Sequence, residues 1–155
     1  MKTAEPTDWN AKPMPEYQTT IPLGFLYHGK QVLLMRRGVV PREMEDKWFV
    51  YWDDDKLYFH RSWTGFCLYI VEFECEGMGA KAVKAVVNRD SEQYGNTDDL
   101  YDAKMIHYLI SVLLLRRPAK FPSKSRSKTR AAIEKWSLVG RAGLGQHPDD
   151  GSDLN

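Results

Sequence analysis

The stretch 45–65 limits the fold more than any other part of the chain. It reads Glu-Asp-Lys-Trp-Phe-Val-Tyr-Trp-Asp-Asp-Asp-Lys-Leu-Tyr-Phe-His-Arg-Ser-Trp-Thr-Gly. Two aromatic, alternating segments, 47–52 and 56–61, flank the aspartates at 53–55. Aromatic and β-branched residues fit the pleated, half-buried surface of a strand. Asp favours a turn because its carboxylate bonds nearby backbone amides. The pattern predicts a hairpin, followed by a second turn over 62–65 in which Gly65 takes positive φ.

More strands follow. Residues 66–74 are apolar on both faces over 66–71, which suits a central strand. A turn at 76–79 leads into 80–88, where Val83, Ala85 and Val87 alternate with Lys84. Earlier, 23–35 reads as two short strands around His28-Gly29-Lys30. A helix over 29–37 is the alternative, because Lys, Gln, Leu, Met and Arg are good helix formers. The period changes at 97–115: Leu100, Ala103, Ile106, Ile110, Leu113 and Leu114 form an apolar stripe at helical spacing. Thr97 suits its N-cap, Asp98 and Asp99 suit its dipole, and Pro118 ends it. A short C-terminal helix is expected over 128–139.

The expected fold class is therefore α+β. It is an antiparallel meander of four to six strands with one long helix packed on a face and a short C-terminal helix beside it. At 155 residues the chain suits one domain. It divides into an irregular arm (1–20), the α+β domain (21–142) and a polar, acidic tail (143–155), read as disordered. Trp9 in the arm is expected to pin it onto the body.

Composition narrows the function classes. The net charge of +1 argues for neither nucleic acid nor membrane as a bulk partner. No run reaches the roughly 20 apolar residues of a spanning helix. The acidic N-terminus lacks the apolar region of a signal peptide, so a cytoplasmic location is expected. Cys67 and Cys75 stand eight apart with no neighbouring His, so no metal site is expected and both cysteines read as structural. No Walker, Gly-x-Ser-x-Gly, His-x-x-x-His or dinucleotide-binding pattern occurs.

Three regions hold groups suited to chemistry. At the open end of the hairpin, Glu45, Asp46 and Lys47 face His60, Arg61 and Trp63. Alternation puts Trp48, Val50 and Trp52 on one face of the first strand. In the second strand, Leu57, Phe59 and Arg61 share a face, and Tyr58 and His60 share the other. Trp48 or Trp63 would stack a flat ring. Arg61 would pair a phosphate, and His60, with Glu45 or Asp46, would move a proton or bind a hydroxyl. The plainer reading is a salt bridge from Glu45 or Asp46 to Arg61 that closes the hairpin mouth. Asn88-Arg89-Asp90, with Gln93, Tyr94, Asn96, Thr97 and Asp98, forms the second region, just before a helix. Here Asn88 and Arg89 are candidate ligand contacts, against the plainer reading of a well-capped loop. The third is 116–130, with seven basic residues and no acids. Nucleic acid binding there is not favoured, because Phe121 is its single aromatic.

The runs Arg42-Glu43-Met44-Glu45-Asp46-Lys47-Trp48-Phe49, Leu57-Tyr58-Phe59-His60-Arg61-Ser62-Trp63-Thr64-Gly65 and Val87-Asn88-Arg89-Asp90 with Gln93-Tyr94 resemble a family of small uncharacterised bacterial proteins. Some of its members accompany ADP-ribose-processing macro domains. The resemblance covers about residues 40–115. It implies that the charged hairpin end and the Asn-Arg-Asp loop act together, and it implies no reaction. The expectation is a nucleotide-like or ADP-ribose-like ligand site on a cytosolic protein, with hydrolysis of a glycosidic or phosphoester bond as the fitting chemistry. A cofactor is not specified. The rival is a non-catalytic interaction protein, immunity- or antitoxin-like, that binds a protein partner.

Overall fold

A computed structural model describes residues 3–122. The expected helix over 128–139, the tail from 143 and most of the basic run lie outside the described residues.

Five antiparallel strands form one sheet in the order β1-β5-β4-β3-β2. They are β1 (Gln18–Tyr27), β2 (Trp48–Asp53), β3 (Lys56–Arg61), β4 (Cys67–Glu76) and β5 (Gly79–Asn88). Helix α1 (Gly29–Arg37) joins β1 to β2, and α2 (Asp99–Leu109) follows β5. The architecture is α+β. The strands β2 to β5 are a meander, each paired with the next. β1 stands outside it and pairs with β5 at the opposite edge.

The hairpin of β2 and β3 forms as expected. Asp54 and Asp55 sit at φ of 52° and 57°. A two-residue loop with both φ positive matches the twist of the strands it joins. Asp is among the few side chains that enter that region at modest cost.

The helical alternative for 29–37 is the observed one, and the two short strands over 23–35 do not form. β1 instead begins at Gln18 and ends at Tyr27. Gln31 Oε1 accepts the His28 N–H at 2.9 Å and closes the first helical turn. Val32 and Met35, three apart, bury one face.

The single long helix over 97–115 does not form either. The eleven-residue α2 gives way to a five-residue π-helical turn, Ile110–Leu114. The Leu115 N–H bonds Ile110 O at 3.0 Å, five residues back. Ser111 Oγ donates to His107 O at 2.9 Å, a back-bond that bends helices. The wider turn lets Ile110, Val112, Leu114 and Leu115 all face the core. Asp98 rather than Thr97 is the N-cap, accepting the Leu100 and Tyr101 N–H groups. The buried stripe is also rotated from the expected one. Asp102, Met105, Ile106 and Leu109 are buried, whereas Leu100 is 65% exposed.

Both helices contribute to the main core on one face of the sheet, where Trp48, Val50, Leu57, Phe59, Tyr69, Val71, Ala85 and Val87 lie. On the opposite face of the hairpin, Phe49 and Tyr51 pack against Ala4 and Ala11 of the N-terminal arm. Trp9 does pin that arm: its indole N–H donates to Ser62 O at 2.7 Å. Lys12 N–H adds a bond to Gly65 O at 2.9 Å. Among the described residues no helix is long and apolar enough to cross a membrane.

Candidate ligand-binding pocket

Strand pairing sorts the hairpin residues into two groups. Trp48 pairs with Arg61 and Phe49 with His60, so the two pairs face opposite sides of the sheet. The Arg61 guanidinium carbon lies 4.9 Å from the centroid of the Trp48 ring. Burial lowers the Arg61 pKa, while the nearby Tyr69 and Tyr94 phenols raise it.

His60 lies on the arm-covered face. It is 2% exposed and stacks on Tyr51, with ring centroids 5.6 Å apart. Its Nδ1 is 3.0 Å from Gly65 O, so that nitrogen carries the proton. The buried Nε2 is then an acceptor with no partner. Burial lowers the ring's pKa, against the Gly65 bond, which raises it. His60 therefore does not converge with Trp48 and Arg61.

Hydrogen bonds and a cation–π contact tie the hairpin mouth together. Ser62 Oγ donates to Asp46 O at 2.7 Å, and Ser62 N–H to Lys47 O at 2.9 Å. The Asp46 carboxylate accepts the Arg42 N–H at 3.0 Å. Trp63 is 63% exposed, donates to Met44 O at 3.0 Å and carries the Lys47 ammonium 4.1 Å from its ring centroid. Glu45 is half-buried in the turn before β2. Of the two cysteines, Cys67 is buried and Cys75 exposed; burial pushes the Cys67 thiol up to about 12.

A pocket opens on the helix side of the sheet. Its volume is about 240 Å³, and Trp48, Leu68, Tyr69, Tyr94, Asn96, Tyr101 and Met105 help to line it. A β-bulge shapes its floor. Phe59 pairs with Tyr69 but His60 pairs with Cys67, so Leu68 is an extra residue in β4. Such a bulge re-aims side chains, and here both Leu68 and Tyr69 reach the pocket. Tyr69 stacks on Trp48, with centroids 5.9 Å apart and rings 19° from parallel.

The 88–98 loop and α2 supply the opposite wall through one buried carboxylate. Asp102 is 0% exposed. It accepts hydrogen bonds from Arg89 Nη2 at 2.5 Å, Tyr94 Oη at 2.6 Å and Asn96 Nδ2 at 2.8 Å. Tyr94 Oη in turn lies 2.7 Å from Tyr69 Oη. Burial lowers the Arg89 pKa, but bonds to Asp102 and Asp99 outweigh it and raise the guanidinium overall. Burial first, then the charge of its neighbours, raises the Tyr94 phenol well above its ordinary value. Asn88 is also structural in its contacts: Nδ2 donates to Cys67 O and Gln93 Oε1, both at 2.9 Å, and Oδ1 accepts the Asp90 N–H at 2.8 Å.

The structure thus brings Trp48 and Arg61 to one place and sets Asn88 and Arg89 behind its wall. Glu45, Asp46 and Trp63 stay at the hairpin mouth, and His60 lies across the sheet. Tyr69 and Asp102 were not legible as site residues. The available signal was an Asp three and four residues before Met105 and Ile106, on the face that helical spacing would bury. Comparison with models of known protein families, with curated proteins and with solved structures finds no match.

Proposed function

We propose that this protein binds a small planar ligand with an anionic group, nucleotide-like in chemistry, in the pocket between β4 and α2. The observation that carries the reading is an aromatic-walled pocket adjoining a guanidinium, through the stacking of Arg61 on Trp48. Aromatic walls with a few polar groups suit a base, and Arg suits a phosphate. At about 240 Å³ the pocket is below the roughly 300–1,000 Å³ of drug-sized sites. It suits one ring, with ribose and phosphate left at the rim, so an ADP-ribose would be enclosed at one end only. Arg61 is the phosphate partner in this reading, because its guanidinium stacks on Trp48, which lines the pocket, whereas Arg89 lies behind the wall on Asp99 and Asp102. Binding is favoured over hydrolysis, since Glu45, Asp46 and His60 lie away from the pocket.

Thermal shift and Trp fluorescence against nucleoside monophosphates and ADP-ribose test this. A ligand at a hundred times its Kd should stabilise the fold by about 2.7 kcal/mol. Arg61→Met should weaken the anionic ligands selectively. No shift and no quenching with any of them would overturn the reading.

The second reading is a protein-interaction module, favoured by the exposed Trp63 and Met44 beside Trp9 at the hairpin end. Exposed indoles are frequent interface anchors. Loss of a specific partner on Trp63→Ala, with nucleotides inert, would support it instead.

A further inference from the structure

The proton positions on the pocket wall follow from the ion pair behind it. Asp102 is bonded to the Arg89 guanidinium, so it is a carboxylate and can only accept. Tyr94 must therefore donate its single O–H to Asp102 Oδ1. That leaves the Tyr94 oxygen as an acceptor, so the 2.7 Å bond between the phenols has Tyr69 as its donor. Tyr69 then has no proton left. Asn96 is committed in the same way: its Nδ2 donates to Asp98 O at 3.1 Å and to Asp102 Oδ1 at 2.8 Å. One chain, Tyr69 to Tyr94 to Asp102, runs its donors away from the pocket that Tyr69, Tyr94 and Asn96 line.

We propose that the wall made by Tyr69, Tyr94 and Asn96 presents acceptors rather than donors to a ligand, so that it selects rings whose facing edge carries an N–H donor, as amino-substituted bases do. The inference rests on the reading of the pocket as a base site and specifies which bases it takes. A ring that presents only an acceptor here meets lone pair against lone pair, and the Tyr69 O–H can turn to it only by giving up its bond to Tyr94. Rotating the Tyr94 hydroxyl would strip a hydrogen bond from a fully buried carboxylate. The specificity is therefore held by Asp102, which does not itself line the pocket.

Titration calorimetry with two ligands that differ by one donor group separates the outcomes. Adenosine 5′-monophosphate has the 6-amino group, and purine riboside 5′-monophosphate lacks it. The wild-type protein should bind the first about ten-fold or more tightly, the worth of one hydrogen bond of about 1.4 kcal/mol. Tyr69→Phe removes the terminal acceptor while leaving the Tyr94–Asp102 bond in place, and should bring the two affinities close together. Tyr94→Phe frees the Tyr69 O–H to turn toward the ligand, and should shift the preference toward purine riboside. Equal wild-type affinities for the two nucleotides would overturn the acceptor wall while leaving the pocket a base site. So would a preference that survives Tyr69→Phe. If neither nucleotide binds, the base-site reading itself falls.

Discussion

Replacing Asp102 with Ala should be among the most damaging single changes in this protein. Asp102 is 0% exposed and accepts three hydrogen bonds, at 2.5, 2.6 and 2.8 Å. Without it, the Tyr94 O–H and one Asn96 N–H lose their acceptor, and each unsatisfied buried group costs about 1–3 kcal/mol. Arg89 keeps the Asn88 and Asn96 carbonyls and, as a charged partner, Asp99, whose side chain is 64% exposed, and such solvent-facing pairs contribute about 0–1 kcal/mol. Breaking a buried ion pair from one side typically costs about 3–5 kcal/mol, and we expect the total in that range. For a chain of this size the melting temperature should fall by roughly 6–20 °C. Urea unfolding followed by Trp fluorescence measures it, with an unchanged m-value required for the comparison. Arg89→Met, alone and combined with Asp102→Ala, completes a cycle. The double variant should lose at least about 1.5 kcal/mol less than the sum of its parts, because it leaves no buried charge unpaired. A loss below about 1 kcal/mol for Asp102→Ala, or strict additivity in the cycle, would refute the view of Asp102 as the centre of a dry network.

Gly38→Ala should cost about 2–4 kcal/mol by chemical denaturation, because its φ is 63° and a Cβ would lie 2.2 Å from Val50 O. That carbonyl accepts the Val39 N–H at 2.9 Å, so the clash also opens a bridge to β2. Gly77→Ala is the control: its φ is 58° but a Cβ there meets nothing within 4 Å, so only about 1 kcal/mol of strain is expected. Stability should fall as pH drops below about 6.5, the unfolded value for His. Burial lowers the folded pKa of His60 below that value, so the unfolded chain takes up the proton first and is favoured. Each unit of difference contributes about 1.4 kcal/mol. Comparing urea midpoints at pH 7.5 and 5.5 should show this slope diminished in His60→Gln, and an unchanged slope would count against it. Trp9→Ala removes the 2.7 Å bond to Ser62 O. It should cost about 1–2 kcal/mol and speed proteolysis within 5–14, whereas unchanged cleavage would mean that other contacts hold the arm.

The parts of this fold that could be read from sequence are those whose partner is near in the chain. The β2–β3 hairpin declares itself through alternation and the Asp turn, and β4 and β5 follow at short range. The ambiguity at 29–37 was a conflict of periods. The run Val32-Leu33-Leu34-Met35 is apolar throughout and carries no phase of its own, and burial of Val32 and Met35 against the sheet decides it. The pairing of β1 with β5 joins Gln18 to Asn88 across some seventy residues, and no local signal encodes it. The helix over 97–115 departs from its sequence pattern for a different reason. Its spacing assumes a uniform turn, whereas the π-helical turn at Ile110–Leu114 resets the phase.

The candidate site divides along the same line. Alternation alone set His60 and Arg61 on opposite faces, so their nearness in sequence never implied a shared pocket. What alternation could not supply was the bulge at Leu68, which shifts Tyr69 into register with Phe59 and next to Trp48. Nor could it supply Asp102, whose meaning depends on Arg89, Tyr94 and Asn96 arriving from the loop before it. A buried acid on a helix reads as a defect until its donors are known, because an unpaired carboxylate in the core is too costly to persist. Asp102 is tolerated because three donors meet it. The same three bonds commit the Tyr94 proton and, through it, the Tyr69 proton, so the stability of α2 and the hydrogen-bonding character of the pocket wall are two consequences of one ion pair.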